Sequence, residues 1–156
     1  MKVIIYPGSF DPITNGHIEI AKKALESFDK VIILVANNEN KKARFTTEER
    51  YEMVKEAVSD EKRIEVYYTN GLTVEFAKKA GSPYLLRGIR NDVDMEYENK
   101  YAELTHKLDK SIEFVYIKAS DEYAYISSTM IDKMAKEGKD IGHLVPSSVV
   151  KRYKKR

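Results

Sequence analysis

Five short runs with strand character alternate with stretches patterned at helical spacing, and this alternation constrains the fold more than any other feature of the chain. Residues 2–6 and 31–35 are brief, β-branched and apolar throughout, as strands buried on both faces should be. Residues 63–68, the run that opens at 84–86 and residues 112–117 supply three more. Between them, residues 15–28 carry Ile18, Ala21, Leu25 and Phe28 at helical spacing. A second helix is expected after a cap at Thr46 or Thr47, with Glu49 near its first turn and Met53, Val54, Ala57 and Val58 on its apolar face. Residues 73–79 form a short helix stopped by Gly81. A long helix over 93–108 places Val93, Tyr97, Tyr101, Leu104 and Leu108 on one side; residues such as Tyr97 and Tyr101 could be core or interface. Helices over 128–137 and 146–153 complete the chain. A strand followed by a helix, five times over, implies an open parallel sheet with helices on both faces.

In such a sheet ligands sit at the carboxyl ends of the strands, near the point where strand order reverses. The segment after the first strand is dense with turn and polar chemistry: Gly8, Ser9, Phe10, Asp11, Pro12, Thr14, Gly16 and His17. It runs into a helix start, where free N–H groups and the helix dipole hold anions. A capped turn with a surface histidine is the plainer reading of Gly16-His17 alone. The loop at 37–44 carries Lys41, Lys42 and Arg44, either a second anion grip or a solvated loop. Arg87 and Arg90 flank Gly88 and Ile89 at the end of the fourth strand, as an anion clamp or as partners for nearby carboxylates such as Asp92, Asp94 or Glu96. Ser127, Ser128 and Thr129 open the helix after the fifth strand; plain capping accounts for one hydroxyl, not three.

Several classes fall away. The chain of 156 residues has no cysteine, hence no disulfide, thiol nucleophile or Cys-based zinc site. Its three histidines lack ligand spacing. Neither the Gly-rich Walker loop nor the dinucleotide fingerprint occurs, and no nucleophile-elbow serine motif appears. No apolar run is long enough to span a membrane, and the N-terminus reaches Pro7-Gly8 too soon for a signal peptide, so a cytoplasmic protein is expected. The last six residues hold five Lys/Arg, whereas the preceding 150 carry 22 basic and 25 acidic side chains. That balance does not suit a nucleic-acid binder, and the basic end at 151–156 reads as a solvated helix terminus.

Gly8-Ser9-Phe10-Asp11-Pro12 with Thr14-x-Gly16-His17 resembles the signature of the nucleotidyltransferase superfamily related to class I aminoacyl-tRNA synthetases. With Lys41-Lys42, Phe45-Thr46, Arg87 to Arg90, Asp94-x-Glu96-Tyr97-Glu98 and Ile126 to Thr129, the whole chain resembles the bacterial phosphopantetheine adenylyltransferases. Met95 stands where the family often has Phe, and Tyr123 where some members have Trp; neither removes a charged contact.

The resemblance implies one nucleotidyltransferase domain over 1–156, an α/β, Rossmann-like five-stranded sheet. It implies adenylyl transfer from ATP to 4′-phosphopantetheine, giving dephospho-coenzyme A and diphosphate. Magnesium, a homohexamer and feedback inhibition by coenzyme A come with it. By the same resemblance Ser9, Phe10, His17, Gly88, Ile89, Arg90, Glu98, Tyr123, Ala124, Tyr125, Ile126, Ser127, Ser128 and Thr129 form the ATP site. Ser9, Lys41, Thr73 and Arg87 hold the acceptor. His17, Lys41 and Ser9 are the candidate catalytic groups: His17 donates to the α-phosphate, while Lys41 and Ser9 align the attacking phosphate. Arg90 and Ser128 are expected on the β- and γ-phosphates, with no protein ligand for the magnesium beyond ATP and water. The alternatives are a relative that uses a nicotinamide mononucleotide or glycerol-phosphate acceptor, and a nucleotide-binding regulator without catalysis.

Overall fold

The computed structural model describes residues 1–37 and 42–156. Its five strands are β1 (Val3–Gly8), β2 (Lys30–Ala36), β3 (Ile64–Thr69), β4 (Tyr84–Ile89) and β5 (Glu113–Lys118). They form one parallel sheet in the order β3-β2-β1-β4-β5. The helices are α1 (Asn15–Ala24), α2 (Thr47–Ala57), α3 (Thr73–Ala80), α4 (Asp92–Leu108), α5 (Ser128–Lys136) and α6 (Ser147–Lys154). The chain builds outward from β1 to β3, then returns to β1's other side with β4. The order therefore reverses between β1 and β4, which opens a crevice at their carboxyl ends.

Two-residue alternation divides the core. Ile4, Tyr6, Val31, Ile33, Val35 and Leu86 face α1, α2, α5 and α6, whereas Ile5, Ile32, Leu34 and Leu85 face α3. Phe114 of β5 meets Tyr101 of α4 on that second face, ring centroids 5.9 Å apart. The expected double-faced sheet is present, with small differences at the element ends. The first helix closes at Ala24, and residues 25–27 form a turn before Phe28 enters the core. Thr46, not Thr47, caps α2: its hydroxyl accepts from Glu49 N–H, and Glu49 accepts from Thr46 N–H. Gly81 ends α3 in the left-handed conformation, φ 72°, which costs glycine nothing.

The apolar stripe of α4, open to either reading in the sequence, does not enter the core. Val93, Tyr97, Leu104 and Leu108 are 62–73% exposed, and only Tyr101 of that stripe is half-buried. Instead Glu98 and Thr105 point inward. The basic C-terminal end departs from expectation. Lys151 pairs with Glu56, and Arg152 with Glu49 and Glu52, so it docks on α2 rather than standing in solvent.

Candidate functional site

An open cleft of about 360 Å³ lies at the β1/β4 reversal. Its first wall is the loop from β1 to α1. Thr14 caps α1, its hydroxyl accepting from His17 N–H at 3.3 Å, while Thr14 N–H donates to His17 Nδ1 at 3.0 Å. This is a capping box with imidazole in place of the usual carboxylate. It has a chemical consequence. A ring nitrogen that accepts from a backbone N–H carries no proton, so the neutral ring bears its proton on Nε2. Burial, followed by the charge of Arg90, pushes the His17 pKa down to about 4. His17 is therefore a neutral hydrogen-bond donor near pH 7.

Phe10 holds the ring in place. It packs edge-on to His17 and Tyr6, with centroids 5.1 and 5.3 Å away, and is 3% exposed. Its φ of +47° is sterically disfavoured for a side-chain-bearing residue, a cost of about 1–3 kcal/mol that the packed ring offsets. Phe10 thus offers a ligand its backbone, not its ring. Ser9, just before it, is exposed at the cleft rim.

The two clamp arginines are already engaged by carboxylates. Arg87 donates Nε and Nη2 to Glu98 at 2.8 and 2.9 Å and Nη1 to Pro7 O at 3.2 Å. Its guanidinium lies 4.4 Å over the Tyr101 ring. Burial alone would lower the Arg87 pKa, but Glu98 more than offsets it and leaves it raised. Arg90 donates to both Asp94 oxygens at 3.0 and 3.3 Å and to Ile126 O at 3.1 Å. Each side chain spends three of its five N–H groups this way and keeps two for a ligand. Gly88 lets the strand pass close to the floor: a Cβ there would stand 2.5 Å from Ile20 Cδ1 and 3.4 Å from Tyr6 Oη.

The three hydroxyls of the last wall have separate tasks. Ser127 caps α5 by accepting from Met130 N–H at 3.1 Å. Ser128 donates to Pro12 O at 2.7 Å, and Thr129 accepts from Arg44 at 2.8 Å. The Ser128 hydroxyl, expected on phosphate, is engaged here by Pro12 O. What α5 presents are the first-turn N–H groups, which have no carbonyl within the helix.

The cleft brings together Ser9, Phe10, His17, Arg87, Gly88, Arg90, Glu98, Tyr123, Ile126, Ser127 and Ser128. Ile89, Ala124, Tyr125 and Thr129 lie outside its lining; Tyr125 is 60% exposed. Thr73 starts α3 beyond β3, also outside it. Lys41 falls outside the described residues. Arg44, expected either to grip an anion or to stand in a solvated loop, is bound within the protein.

Two residues have supporting roles that the sequence did not assign: Arg50, and Asp11 of the motif loop. Arg50 is 2% exposed and donates to Ser9 O at 2.8 Å, Ala36 O at 3.0 Å and Phe45 O at 3.2 Å, tying the carboxyl ends of β1 and β2 together. Asp11, 4% exposed, accepts from the N–H groups of Arg44 and Phe45 at 2.8 and 3.0 Å. Nothing in the local pattern separates Arg50 from an ordinary surface charge, whereas Asp11 stands in the motif loop.

The sequence matches the cytidylyltransferase-like family over residues 5–134, and the chain belongs to that family of nucleotidyl-transferring proteins. The more particular assignment rests on full-length relatives. A phosphopantetheine adenylyltransferase of Lachnoclostridium phytofermentans is 42% identical over 96% of this chain and 92% of its own length. One from Clostridium botulinum (strain Eklund 17B / Type B) is 43% identical over 96% and 94%. One from Limosilactobacillus reuteri is 40% identical over 100% and 90%. Within the cytidylyltransferase-like group, the chain is a member of the phosphopantetheine adenylyltransferase family.

Proposed function

We propose that this chain transfers the adenylyl group of ATP to 4′-phosphopantetheine, producing dephospho-coenzyme A and diphosphate in the penultimate step of coenzyme A synthesis. The relatives' shared name supports the reaction. The observation that carries the chemistry is the neutral His17, fixed through Nδ1 and left with Nε2–H as its donor, beside two arginines with spare N–H groups.

The nucleophile needs no base. A phosphomonoester with a second pKa near 6 is largely dianionic at pH 7. One of its oxygens bonds to the α-phosphorus of ATP as the bridge to the β-phosphate breaks, and diphosphate leaves with the electron pair. No covalent enzyme intermediate is required. The protein's task is positioning and charge stabilisation. His17 Nε2–H donates to the α-phosphate oxygens as they gain charge. Ser9 and Lys41 align the acceptor phosphate, and Arg87 and Thr73 complete the acceptor side. Arg90 and the first-turn N–H groups at Ser128 and Thr129 hold the β- and γ-phosphates. Phe10 contributes backbone, and Gly88, Ile89, Glu98 and the segment from Tyr123 through Ala124, Tyr125, Ile126 and Ser127 complete the nucleotide side.

Magnesium accompanies ATP in this reading. Among the described residues no three His, Asp or Glu side chains gather, and both cleft carboxylates hold an arginine. Phosphate and water oxygens, the hard ligands magnesium prefers, are then its coordination set. When bound, magnesium would supply charge neutralisation to the phosphates that Arg90 and the first turn of α5 hold. The exposed apolar stripe of α4 supports assembly into a homo-oligomer, a hexamer in this reading. Coenzyme A, which carries the acceptor's phosphopantetheine arm, is the feedback inhibitor. No helix among the described residues is long and apolar enough to cross a membrane, and the proposed location is the cytoplasm.

The test is diphosphate release from Mg-ATP with no acceptor, with 4′-phosphopantetheine, with nicotinamide mononucleotide and with glycerol phosphate. Release that depends on 4′-phosphopantetheine alone is expected. Release with another acceptor overturns the substrate, and ATP binding without release under any condition overturns the catalysis. His17→Ala is expected to lower kcat by roughly 10²–10³ with a much smaller change in KM.

A further inference from the structure

We propose that Arg44 is a positioning residue for the ATP half of the cleft, and that the C-terminal Arg156 holds it there. The inference rests on the proposed adenylyl transfer and concerns how its nucleotide site is kept in shape.

Arg44 bridges two segments 118 positions apart in sequence, the Asp11 turn and the start of α5. Its Nη1 donates to Asp11 O at 2.9 Å and its Nη2 to Thr129 Oγ1 at 2.8 Å. Its Nε stands 3.5 Å from Asp132, and its own N–H donates to Asp11 Oδ2 at 2.8 Å. Asp11 follows Phe10, which packs on His17; Thr129 is the second residue of α5, beside the Ser127 and Ser128 that line the cleft. One guanidinium thus spans the two anion-holding walls. The planar fork suits such a brace, because its donors leave in fixed directions.

The basic end of the chain secures the brace. Arg156 Nη2 donates to Arg44 O at 2.6 Å, its guanidinium lies 3.9 Å over the Phe45 ring, and Glu49 is 3.9 Å away. Phe45 is 1% exposed, so the stack rests on a fixed surface. Behind it, Ser148 donates to Met53 O at 2.8 Å and Arg152 pairs with Glu52 at 2.9 Å, docking α6 on α2. The charged terminus acts on the site through the backbone of residue 44.

The consequence is asymmetric. In the proposed reading ATP spans the two walls that Arg44 joins. Among the acceptor residues, Ser9 lies two positions before the braced Asp11, whereas Arg87 is held by Glu98 and Pro7, which take no part in the brace. Loosening the brace therefore misplaces donors to ATP on both walls but leaves the acceptor's Arg87 in place, so ATP is the more affected substrate. A residue that served stability alone would lower the melting temperature and leave that ratio unchanged.

Arg44→Gln, Arg156→Gln and the double variant are to be compared with the unaltered protein at a temperature where all are folded, by steady-state kinetics in both substrates and by calorimetric ATP binding. Arg44→Gln is expected to raise the KM and Kd for ATP roughly 5–10-fold, with the KM for 4′-phosphopantetheine changed by less than about twofold. Arg156→Gln is expected to raise the ATP values about 2–3-fold, and the double variant to match Arg44→Gln, since the two act through one contact. Equal rises for both substrates, no change in ATP affinity, or additive effects overturn the proposal. Should Arg44→Gln not fold, Arg156→Gln decides alone, because its side chain is exposed. If the unaltered protein shows no 4′-phosphopantetheine-dependent turnover, the function falls, while weakened ATP binding by Arg44→Gln still supports the brace.

Discussion

Acidification offers a direct test of the His17 geometry. An ordinary histidine titrates near 6.5, and burial with the charge of Arg90 takes His17 to about 4. The Nδ1 contact with Thr14 N–H works in the same direction, because a protonated Nδ1 would set two donors against each other at 3.0 Å. Between pH 6.5 and 4 the unfolded chain binds a proton at this residue and the folded chain does not. Stability therefore rises with pH across that window, by about 1.4 kcal/mol per unit at the steepest and about 3 kcal/mol in all. Above pH 6.5 both states are neutral and the contribution is flat; below pH 4 both are charged. Denaturant titrations from pH 4 to 7.5 on the native chain and on His17→Gln isolate the effect, since carboxylate contributions are shared and subtract out. The difference between the two proteins is expected to grow by about 3 kcal/mol in favour of the native chain from pH 4 to 6.5. Histidine NMR is expected to show the Nε2–H tautomer, neutral at pH 5.5. A His17 midpoint at or above 6.5, an Nδ1–H tautomer, or parallel stability curves would refute the reasoning.

Other perturbations follow from contacts with stated geometry. Glu98→Ala leaves Arg87 largely buried without its carboxylate and is expected to cost about 3–5 kcal/mol in denaturant unfolding. Glu98→Gln keeps one acceptor and should lose distinctly less. Gly88→Ala puts a methyl 2.5 Å from Ile20 Cδ1, so Ile20 or the strand must move; a loss of about 1–3 kcal/mol and weaker ATP binding are expected, and unchanged stability would mean the floor has room. Thr46→Ala removes the cap of α2 and should cost about 1 kcal/mol, read as a lower melting temperature with KM for both substrates unchanged.

The sheet was legible because its signal is collective. Ile4, Tyr6, Val31, Ile33 and Val35 alternate with Ile5, Ile32 and Leu34, so two-residue periodicity carries the division between faces. The loop from Gly8 to His17 and the glycine between the arginines were legible for a similar reason: their residue types are costly anywhere but a turn or a close approach. The stripe of α4 stayed undecided between core and interface because apolar residues at helical spacing look the same whether they meet a sheet or another surface. The unforeseen residues are charges whose partners are remote. Arg50 finds Ser9, Ala36 and Phe45, and Arg156 finds a carbonyl 112 positions away. No local pattern encodes a long-range hydrogen bond.

The pairing of the clamp arginines changes what their charge does. An unpaired guanidinium in a half-buried cleft would carry a large desolvation cost, which the ion pairs with Glu98 and Asp94 offset. The pairs also aim the forks: with Nε and one terminal N–H held by carboxylate and another by a backbone carbonyl, the two remaining N–H groups leave in fixed directions. A phosphate arriving there does not have to break the existing pair. It adds an acceptor to a cation already oriented, so little side-chain entropy is lost on binding. The same carboxylates also reduce the net positive charge facing ATP. Part of the affinity for a highly charged nucleotide must then come from uncharged donors, the first-turn N–H groups of α5 and the imidazole of His17, whose strength depends on placement more than on charge. This is why the shape of the two walls, and the residues that brace them, should matter to ATP as much as the arginines do.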